Sequence, residues 1–457
     1  MRTTTPRRPT DYTEGSIIGS ILSMGLPSMM GFLAQHIYSM ADMFWVSRLP
    51  EGEAGVAAIT FFNNMMWLLF AFNHMVGPGS VAVISRRYGE KDFLRTEQAI
   101  KETFLLKFGL GVPLAIVGWI FLPELLMLIG AEGDALRLGI VYGRVMLVGL
   151  PIMYTTYSVF TAMRGVANPQ LAMALMIGSN VLNIALDPLF IFGYAGLPAM
   201  GIRGAAVASV SSFTLTLTIG VLLFFLGRTN VPLRLRSAAQ PHLQSMWQIL
   251  KIGIPAWLGE LSFSGSRLLL TPIIATFGTA VVAAYGAGTQ LFAFGIMVLV
   301  GIGLGLSSLI GHNVGSGKLE RAKQTADRAI LLAVGVMTVL GVLTLIFARY
   351  YMNLFFSSPE TVAHGVELLR IWAIGFPFFG VFIMLENIHT GVGLNTPMMV
   401  FVSIHSWGFQ IIPAVVVTQV FGLDQTAIWA VFGASGALSS LLFYLYYRRG
   451  RWLTVKV

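Results

Sequence analysis

Residues Leu268 to Gly317 read LLLTPIIATFGTAVVAAYGAGTQLFAFGIMVLVGIGLGLSSLIGHNVGSG and contain no Asp, Glu, Lys or Arg. The stretch is interrupted only by the turn signal Phe277-Gly278-Thr279, so it predicts two consecutive membrane-spanning helices. The whole chain has the same character, because only 11% of its residues are charged, against roughly 25% in soluble domains. This composition excludes a water-soluble fold and predicts an all-α membrane protein.

Apolar runs of spanning length recur along the chain and predict twelve transmembrane helices. The predicted spans cover residues 16-45, 54-80, 101-125, 136-163, 170-194, 204-226, 246-275, 280-310, 327-352, 364-390, 398-422 and 426-447.

The basic residues predict the orientation of these spans. Of the 29 Lys and Arg residues, 22, Lys107 among them, fall on the side of the N-terminus and five on the other side, while Arg144 and Arg267 lie inside spans. The positive-inside rule therefore places both termini in the cytosol of a multi-pass protein of the plasma (inner) membrane. Because the net charge of +9 is spread over short loops, we expect the bilayer rather than nucleic acid as a partner.

The two halves of the sequence repeat each other. Gly89 and Gly315 lie in loop motifs 226 residues apart, and a first-span proline, Pro27, returns 228 residues later as Pro255. Six spans per repeat give parallel repeats, whose pseudo-twofold axis runs along the membrane normal beside a central cavity. We therefore expect an N-terminal tail, a six-helix lobe, a cytosolic linker, a second six-helix lobe and a C-terminal tail: 1-15, 16-226, 227-245, 246-447 and 448-457.

Four carboxylates fall inside predicted spans: Asp42, Asp187, Glu260 and Glu386. A charge at the bilayer centre costs a few kcal/mol unless it is paired, hydrated or protonated, so such residues indicate function. Helical spacing and depth place two of these acids with other polar groups in the outer half of the first lobe. The predicted cluster consists of Tyr38, Asp42, Asn180, Asn183, Asp187 and Ser209.

This cluster predicts a cation-coupling site. Two acids that share a desolvated site repel each other, which favours uptake of a proton. The same oxygens could hold Na⁺, with Asp42, Asn183 and Asp187 as ligands. The alternative is that Asp42 merely lies at a helix end in the interfacial region.

The run Asn183-Ile184-Ala185-Leu186-Asp187-Pro188, together with Pro27, Tyr38 to Asp42 and the Gly165 and Gly391 loops, resembles the multidrug and toxic compound extrusion (MATE) family over essentially the whole chain. The resemblance implies two six-helix lobes and export of cationic or amphipathic compounds in exchange for H⁺ or Na⁺. It also implies that Asp42, Asn183 and Asp187 form the cation site beside Tyr38, that Ser209 stands where some relatives have Thr, and that Pro27 is a conformational hinge.

The substrate cavity is less clearly marked. We expect Tyr157, Phe160 and Met176 to offer aromatic and soft surfaces to varied cations, and we add Glu260 as a cavity carboxylate. Glu260 is closer to its proline than the corresponding acid of relatives with a second-lobe site, so an ion pair with Arg267 is an equal alternative. Glu386 fits an interfacial carboxylate better than a coupling site.

Two other functions are alternatives to export. A lipid-linked oligosaccharide flippase of the same broad fold should have a strongly cationic cavity, and few cations lie inside the spans. A membrane enzyme or redox subunit should show paired histidines or a nucleophile constellation, and there is no cysteine at all. We therefore expect a monomeric, non-enzymatic carrier of small molecules, without a cofactor beyond the coupling ion.

Overall fold

The computed structural model describes residues 11–454, apart from the side chain of Ala195, and this part of the chain is helical with no β-strand. The first ten residues of the predicted N-terminal tail and the last three of the C-terminal tail lie outside the described residues. The long helices are α1 (Ile17–Val46), α2 (Gly52–Asn73), α3 (Gly77–Gly89), α4 (Phe93–Ile120), α5 (Leu122–Leu128), α6 (Gly133–Gly165), α7 (Pro169–Phe192), α8 (Ile202–Phe225), α9 (Leu243–Ala275), α10 (Thr279–Gly315), α11 (Leu319–Asn353), α12 (Pro359–Val392), α13 (Asn395–Val420) and α14 (Gln425–Arg448).

Eleven described helices are long and apolar enough to cross a membrane. The remaining predicted span corresponds to α9, which has 33 residues but carries Lys251, Glu260 and Arg267. These charges lower its hydropathy without shortening it, since a helix of this length extends over about 50 Å. The fold is thus consistent with twelve spans.

Local sequence accounts for the helix ends and the breaks. Asp92 caps α4 by accepting a hydrogen bond from the backbone N–H of Arg95 at 3.0 Å, as expected for an N-cap residue. Gly193 ends α7 in the left-handed region at φ 77°, which glycine adopts without a Cβ clash. The second predicted span is broken after Asn73, and the third ends at Ile120 before a short helix. The eleventh contains π-helical turns over Ile404–Ile411.

Two hydrophobic cores lie mainly in the first lobe, and one large core lies mainly in the second lobe but also includes Tyr12, Ile21, Met24 and Ala167. In the first lobe α4 packs on α6, α6 on α8, and α7 on both α1 and α8. In the second lobe α12 packs on α10, α11 and α14. The two lobes meet chiefly where α10 crosses α1 and α3.

The two repeated loop glycines make this crossing close. A Cβ on Gly89 would collide with the backbone carbonyl of His312, and a Cβ on Gly315 would collide with that of Arg86. The two contacts are equivalent under the 226-residue offset, because Arg86 corresponds to His312. A hydrogen bond of 2.6 Å between His312 Nε2 and the carbonyl oxygen of Gly165 adds a link between the lobes. The lobes are therefore in close contact at the predicted cytosolic face. This surface, which carries Arg86 and Arg87, is the arginine-rich face of the protein.

The count of basic residues assigns Lys107 to the cytosolic side, and the structure corrects this assignment. It is only 2% exposed within α4. Its ammonium group donates to the Asn73 backbone carbonyl at 2.9 Å and also to the Asn73 side-chain oxygen. The carbonyl belongs to the last residue of α2, where helical hydrogen bonding stops. Lys107 thus stabilises the break in the second span.

Candidate cation-coupling site

The polar cluster lies where α1, α6, α7 and α8 meet. On α1, Tyr38 Oη lies 3.1 Å from Ser209 Oγ, which belongs to α8. One turn further along α1, Asp42 Oδ2 accepts a hydrogen bond of 3.4 Å from the hydroxyl of Tyr142 on α6. Asp42 is only 4% exposed, and it lies in the last turn of α1, which ends at Val46. Its burial fits the predicted cluster, and both the coupling role of Asp42 and the interfacial alternative remain predictions.

Asn183 connects α7 to α8. In the amide orientation that satisfies both ends, its nitrogen donates to Asp187 Oδ2 at 3.1 Å. Its oxygen accepts from Ser209 Oγ at 3.2 Å and from the Ser209 backbone N–H at 3.1 Å. Because Ser209 then donates to Asn183, its remaining acceptor position faces Tyr38. The hydrogen bonds form one directed chain from Tyr38 through Ser209 and Asn183 to Asp187.

Each carboxylate keeps one oxygen free of hydrogen bonds. Asp42 Oδ1 and Asp187 Oδ1 are buried and have no partner among the described residues, and the charge of Asp42 acts on Asp187. An unpaired carboxylate in a low-dielectric interior is costly, and two that interact are costlier. This arrangement can bind a proton or a cation. By contrast, the Asn183 oxygen already accepts two hydrogen bonds, so of the three predicted Na⁺ ligands only the two acids offer a free oxygen.

Two further residues of the prediction lie on the same helices. Asn180 is half-buried on α7, and its side-chain nitrogen has no hydrogen-bond partner. Pro27 lies inside α1 and is buried. Since proline has no N–H, the Ser23 carbonyl loses its usual helical donor. A role in coupling for Asn180 and in bending for Pro27 remains a prediction.

Three residues predicted for the substrate cavity lie together in the first lobe. Tyr157 and Phe160 have ring centroids 6.0 Å apart, and Met176 belongs to the same hydrophobic core. Phe160 and Met176 are at most 4% exposed, while Tyr157 is half-buried and accepts a hydrogen bond of 2.5 Å from Gln35. Of the three, Tyr157 is the one with surface to offer to a ligand, and contact with substrate remains a prediction.

Glu260, the fourth predicted cavity residue, lies apart from them on α9. It interacts electrostatically with His74, at the break of the second span, and with Glu386 on α12. The ion pair with Arg267 is not formed, because Arg267 lies over the ring of Phe263 at 5.9 Å and no described ion pair joins it to Glu260. The predicted alternative of an ion pair between Glu260 and Arg267 is thus absent from the described residues, and the cavity role of Glu260 remains a prediction.

Tyr142 is a member of the cluster that sequence reasoning missed. It is 2% exposed and interacts electrostatically with Asp42, Asp187 and Tyr38. Tyrosine hydroxyls seldom remain unpaired when buried, so a tyrosine deep in the fourth predicted span was an available signal. Its rotation about the helix, however, could not be fixed from spacing alone.

Comparison with known proteins identifies the family. The MatE family model matches residues 27–189 and again residues 255–416. The two matches begin 228 residues apart, which is the spacing of Pro27 and Pro255. The chain belongs to the MatE family. The predicted resemblance to MATE transporters is therefore confirmed, and both repeats of the MATE fold are present.

Individual relatives match nearly the whole chain. The probable multidrug resistance protein YoeA of Bacillus subtilis (strain 168) is 28% identical over 93% of this chain and 92% of its own length. The multidrug export protein MepA of Staphylococcus haemolyticus is 26% identical over 97% and 96%. A solved outward-facing structure of a multidrug resistance MATE family transporter of the MOP superfamily is 25% identical, with a TM-score of 0.88 over 99% of this chain and 100% of that chain. The two-lobed MATE fold is thus shown for this chain.

Proposed function

We propose that this MATE transporter exports cationic or amphipathic small molecules across the plasma membrane in exchange for H⁺. The relatives named as multidrug resistance and export proteins support the class of cargo. The observation that carries the coupling mechanism is the pair of buried carboxylates, Asp42 and Asp187, each with one oxygen lacking a partner.

The mechanism follows from electrostatics. Without a proton, Asp42 and Asp187 hold two interacting charges in a desolvated site, and one bound proton removes the repulsion. The hydrogen-bond chain through Asn183 ties the charge state of Asp187 to the contact between α1 and α8. Proton uptake therefore favours one arrangement of the first lobe and proton release the other, and a substrate that prefers one of them is coupled to the proton.

H⁺ is favoured over Na⁺ by the number of free ligands. Na⁺ needs several oxygen ligands, but the Asn183 oxygen already accepts two hydrogen bonds from Ser209, and Ser209 Oγ lies 3.1 Å from Tyr38 Oη. A proton needs one carboxylate oxygen. Na⁺ coupling is the competing outcome, and it would require the Asn183–Ser209 hydrogen bonds to break on binding.

The flippase alternative is not favoured. The two arginines inside predicted spans do not line one cationic cavity, since Arg144 lies over the Trp119 ring at 4.8 Å and Arg267 over Phe263. Lys107 is engaged by Asn73. A polyphosphate-linked cargo would need these cations free to face it.

The proposal is tested by efflux of ethidium or a fluoroquinolone from cells that express Asp42→Asn or Asp187→Asn. Both variants should lose most of their efflux activity at normal membrane expression. Asp134→Asn is the control, because Asp134 is an exposed acid whose partner is Arg137, and it should export at the wild-type rate. Wild-type efflux by both cluster variants would refute the coupling mechanism.

A further inference from the structure

A cavity of about 420 Å³ opens on the arginine-rich face, where the end of α3, the start of α4 and the start of α9 meet. A smaller cavity of about 140 Å³ beside it shares Arg87, Arg95 and Gln248. The larger cavity is lined by two arginines and five polar residues: Arg87, Arg95, Gln98, His242, Gln244, Ser245 and Gln248. No carboxylate is among these lining residues.

Arg87 is held in position by two hydrogen bonds. One of its terminal nitrogens donates to the Arg95 backbone carbonyl at 3.0 Å, and the other donates to Ser245 Oγ at 3.2 Å. A guanidinium has five N–H donors in a fixed plane. Three donors therefore remain on a pre-oriented group, which is the geometry that recognises phosphate oxygens.

The nearby acids do not fill the cavity. Glu102 Oε1 already accepts from the Gln98 side chain at 2.8 Å and from the His242 backbone N–H at 2.9 Å. Asp92 pairs with Arg95 at 3.5 Å, with 37% and 69% of the two side chains exposed. An exposed pair of this kind contributes little and yields readily to a stronger anion.

At the repeat-related surface of the second lobe, an acidic residue of the chain itself binds the basic residues. There Lys318 donates to Thr13 and pairs with the Glu14 carboxylate at 3.3 Å, and Arg321, which corresponds to Arg95 by the 226-residue offset, donates to the Glu14 carbonyl at 2.9 Å. The chain thus supplies its own acid at that surface. By the 228-residue offset of the first helices, Glu14 corresponds to His242, so the equivalent acid is missing at the cavity.

Exposed apolar side chains lie directly beside the lining residues. Leu243 is 84% exposed between His242 and Gln244, and Trp247 is 57% exposed next to Gln248. Tryptophan at this position is typical of the membrane–water interface, and basic pockets on the cytosolic side of transmembrane helices suit lipid phosphates.

We propose that this cavity binds the phosphate headgroup of an anionic phospholipid from the cytosolic leaflet. Arg87 and Arg95 contact the phosphate, Gln248 contacts a remaining headgroup oxygen, and the acyl chains lie along Leu243 and Trp247. The bound lipid joins the first repeat to the first helix of the second. This inference rests on the predicted cytosolic orientation of the arginine-rich face, and it does not depend on which ion drives transport.

The test measures binding rather than transport, so its failure is separate from failure of the antiport proposal. The purified, delipidated full chain is titrated with phosphatidylglycerol and with phosphatidylcholine of the same acyl chains, and bound lipids are counted by native mass spectrometry. We expect one phosphatidylglycerol to bind at least about tenfold more tightly than phosphatidylcholine. Equal binding of the two lipids would overturn the proposal.

Variants locate the site. Arg95→Gln combined with Gln248→Glu should weaken phosphatidylglycerol binding at least about tenfold, since the first change removes one positive charge near the phosphate and the second adds one negative charge. Gln244→Glu keeps both arginines and should weaken binding about fivefold. Arg321→Gln is the matched control at the repeat-related position and should bind phosphatidylglycerol like the wild type. Unchanged binding by folded cavity variants would place the lipid elsewhere and refute the site.

Inorganic phosphate distinguishes the two sources of the anion. We expect millimolar phosphate to compete poorly with phosphatidylglycerol, because it lacks the apolar contacts with Leu243 and Trp247. If phosphate alone binds as tightly as the lipid, the cavity takes a soluble anion and the lipid assignment is wrong.

Discussion

The hydroxyl groups of Tyr38 and Ser209 lie 3.1 Å apart and join α1 to α8. Through Asn183 the same chain of hydrogen bonds reaches Asp187, so it connects three helices of the first lobe, α1, α7 and α8, to one carboxylate. We infer that a change in the charge of Asp187 alters the contact between Tyr38 and Ser209.

Tyr38→Phe should remove the hydrogen bond between Tyr38 and Ser209, and Ser209→Ala should remove that bond together with the one from Ser209 Oγ to Asn183. We expect either change to lower drug efflux several-fold, with a loss of about 1 kcal/mol of stability per hydrogen bond. Because the two groups contact each other, the double variant should lose less than the sum of the single losses. Thermal unfolding of the purified variants in detergent measures this coupling, and strict additivity would mean that the two hydroxyls act independently.

Tyr142→Phe should remove the hydrogen bond that Tyr142 donates to Asp42. The Tyr142 hydroxyl is the one hydrogen-bond donor to Asp42 in the described part of the chain, so its removal leaves the ionised carboxylate with less stabilisation. We expect the pH at which half-maximal efflux occurs to rise relative to the wild type. Tyr350→Phe, which changes an exposed tyrosine, is the control, and an identical pH profile for Tyr142→Phe and the wild type would remove Tyr142 from the site.

Gly89→Ala and Gly315→Ala should separate the two lobes at the arginine-rich face. Each new Cβ would collide with the backbone of the opposite lobe, and overpacking of this kind costs about 1–3 kcal/mol. Cysteine pairs introduced across the α3–α10 crossing should therefore cross-link less efficiently in these variants. Gly335→Ala is the control, since its Cβ would meet nothing within 4 Å, and equal cross-linking in all three variants would contradict the close-contact account.

Lys107→Met should destabilise the break in the second span. It removes the ammonium donor from the half-buried Asn73 side-chain oxygen and leaves the Asn73 carbonyl with the 3.4 Å hydrogen bond from the Val76 backbone N–H, and a hydrogen bond from a charged group contributes about 1.5–3 kcal/mol. We expect a lower melting temperature in detergent, while Lys251→Met, which changes an exposed lysine, should melt like the wild type. A normal melting temperature for Lys107→Met would show that water replaces the ammonium group at this carbonyl.

Much of the fold was predictable because the sequence patterns that indicate it, apolar runs and a repeat, extend over many residues. Apolar runs identify spans whatever the helix rotation, and the common offsets of Gly89 with Gly315 and of Pro27 with Pro255 revealed the repeat. Helical rise also predicted a similar depth for Asp42 and Asp187, and the charge of Asp42 acts on Asp187. The domain boundaries drawn from these patterns remain predictions.

Other features depend on tertiary contacts that periodicity does not encode. The break after Asn73 is followed by Gly77-Pro78-Gly79, a turn signal inside the span predicted over 54-80, and Lys107 from a different helix stabilises the break. Tyr142 reaches Asp42 only because α6 has a particular rotation, and Arg267 lies over Phe263 for the same kind of reason. The cavity at Arg87 forms only when α9 packs on α3 and α4.

The most direct test of the central claim is ethidium transport in proteoliposomes with a pH gradient and a Na⁺ gradient imposed separately. For the wild type we predict transport driven by the pH gradient alone, and for Asp42→Asn and Asp187→Asn we predict loss of that response. Transport driven by Na⁺ alone would contradict proton coupling, and a full response to the pH gradient in both variants would contradict a coupling site at these two carboxylates.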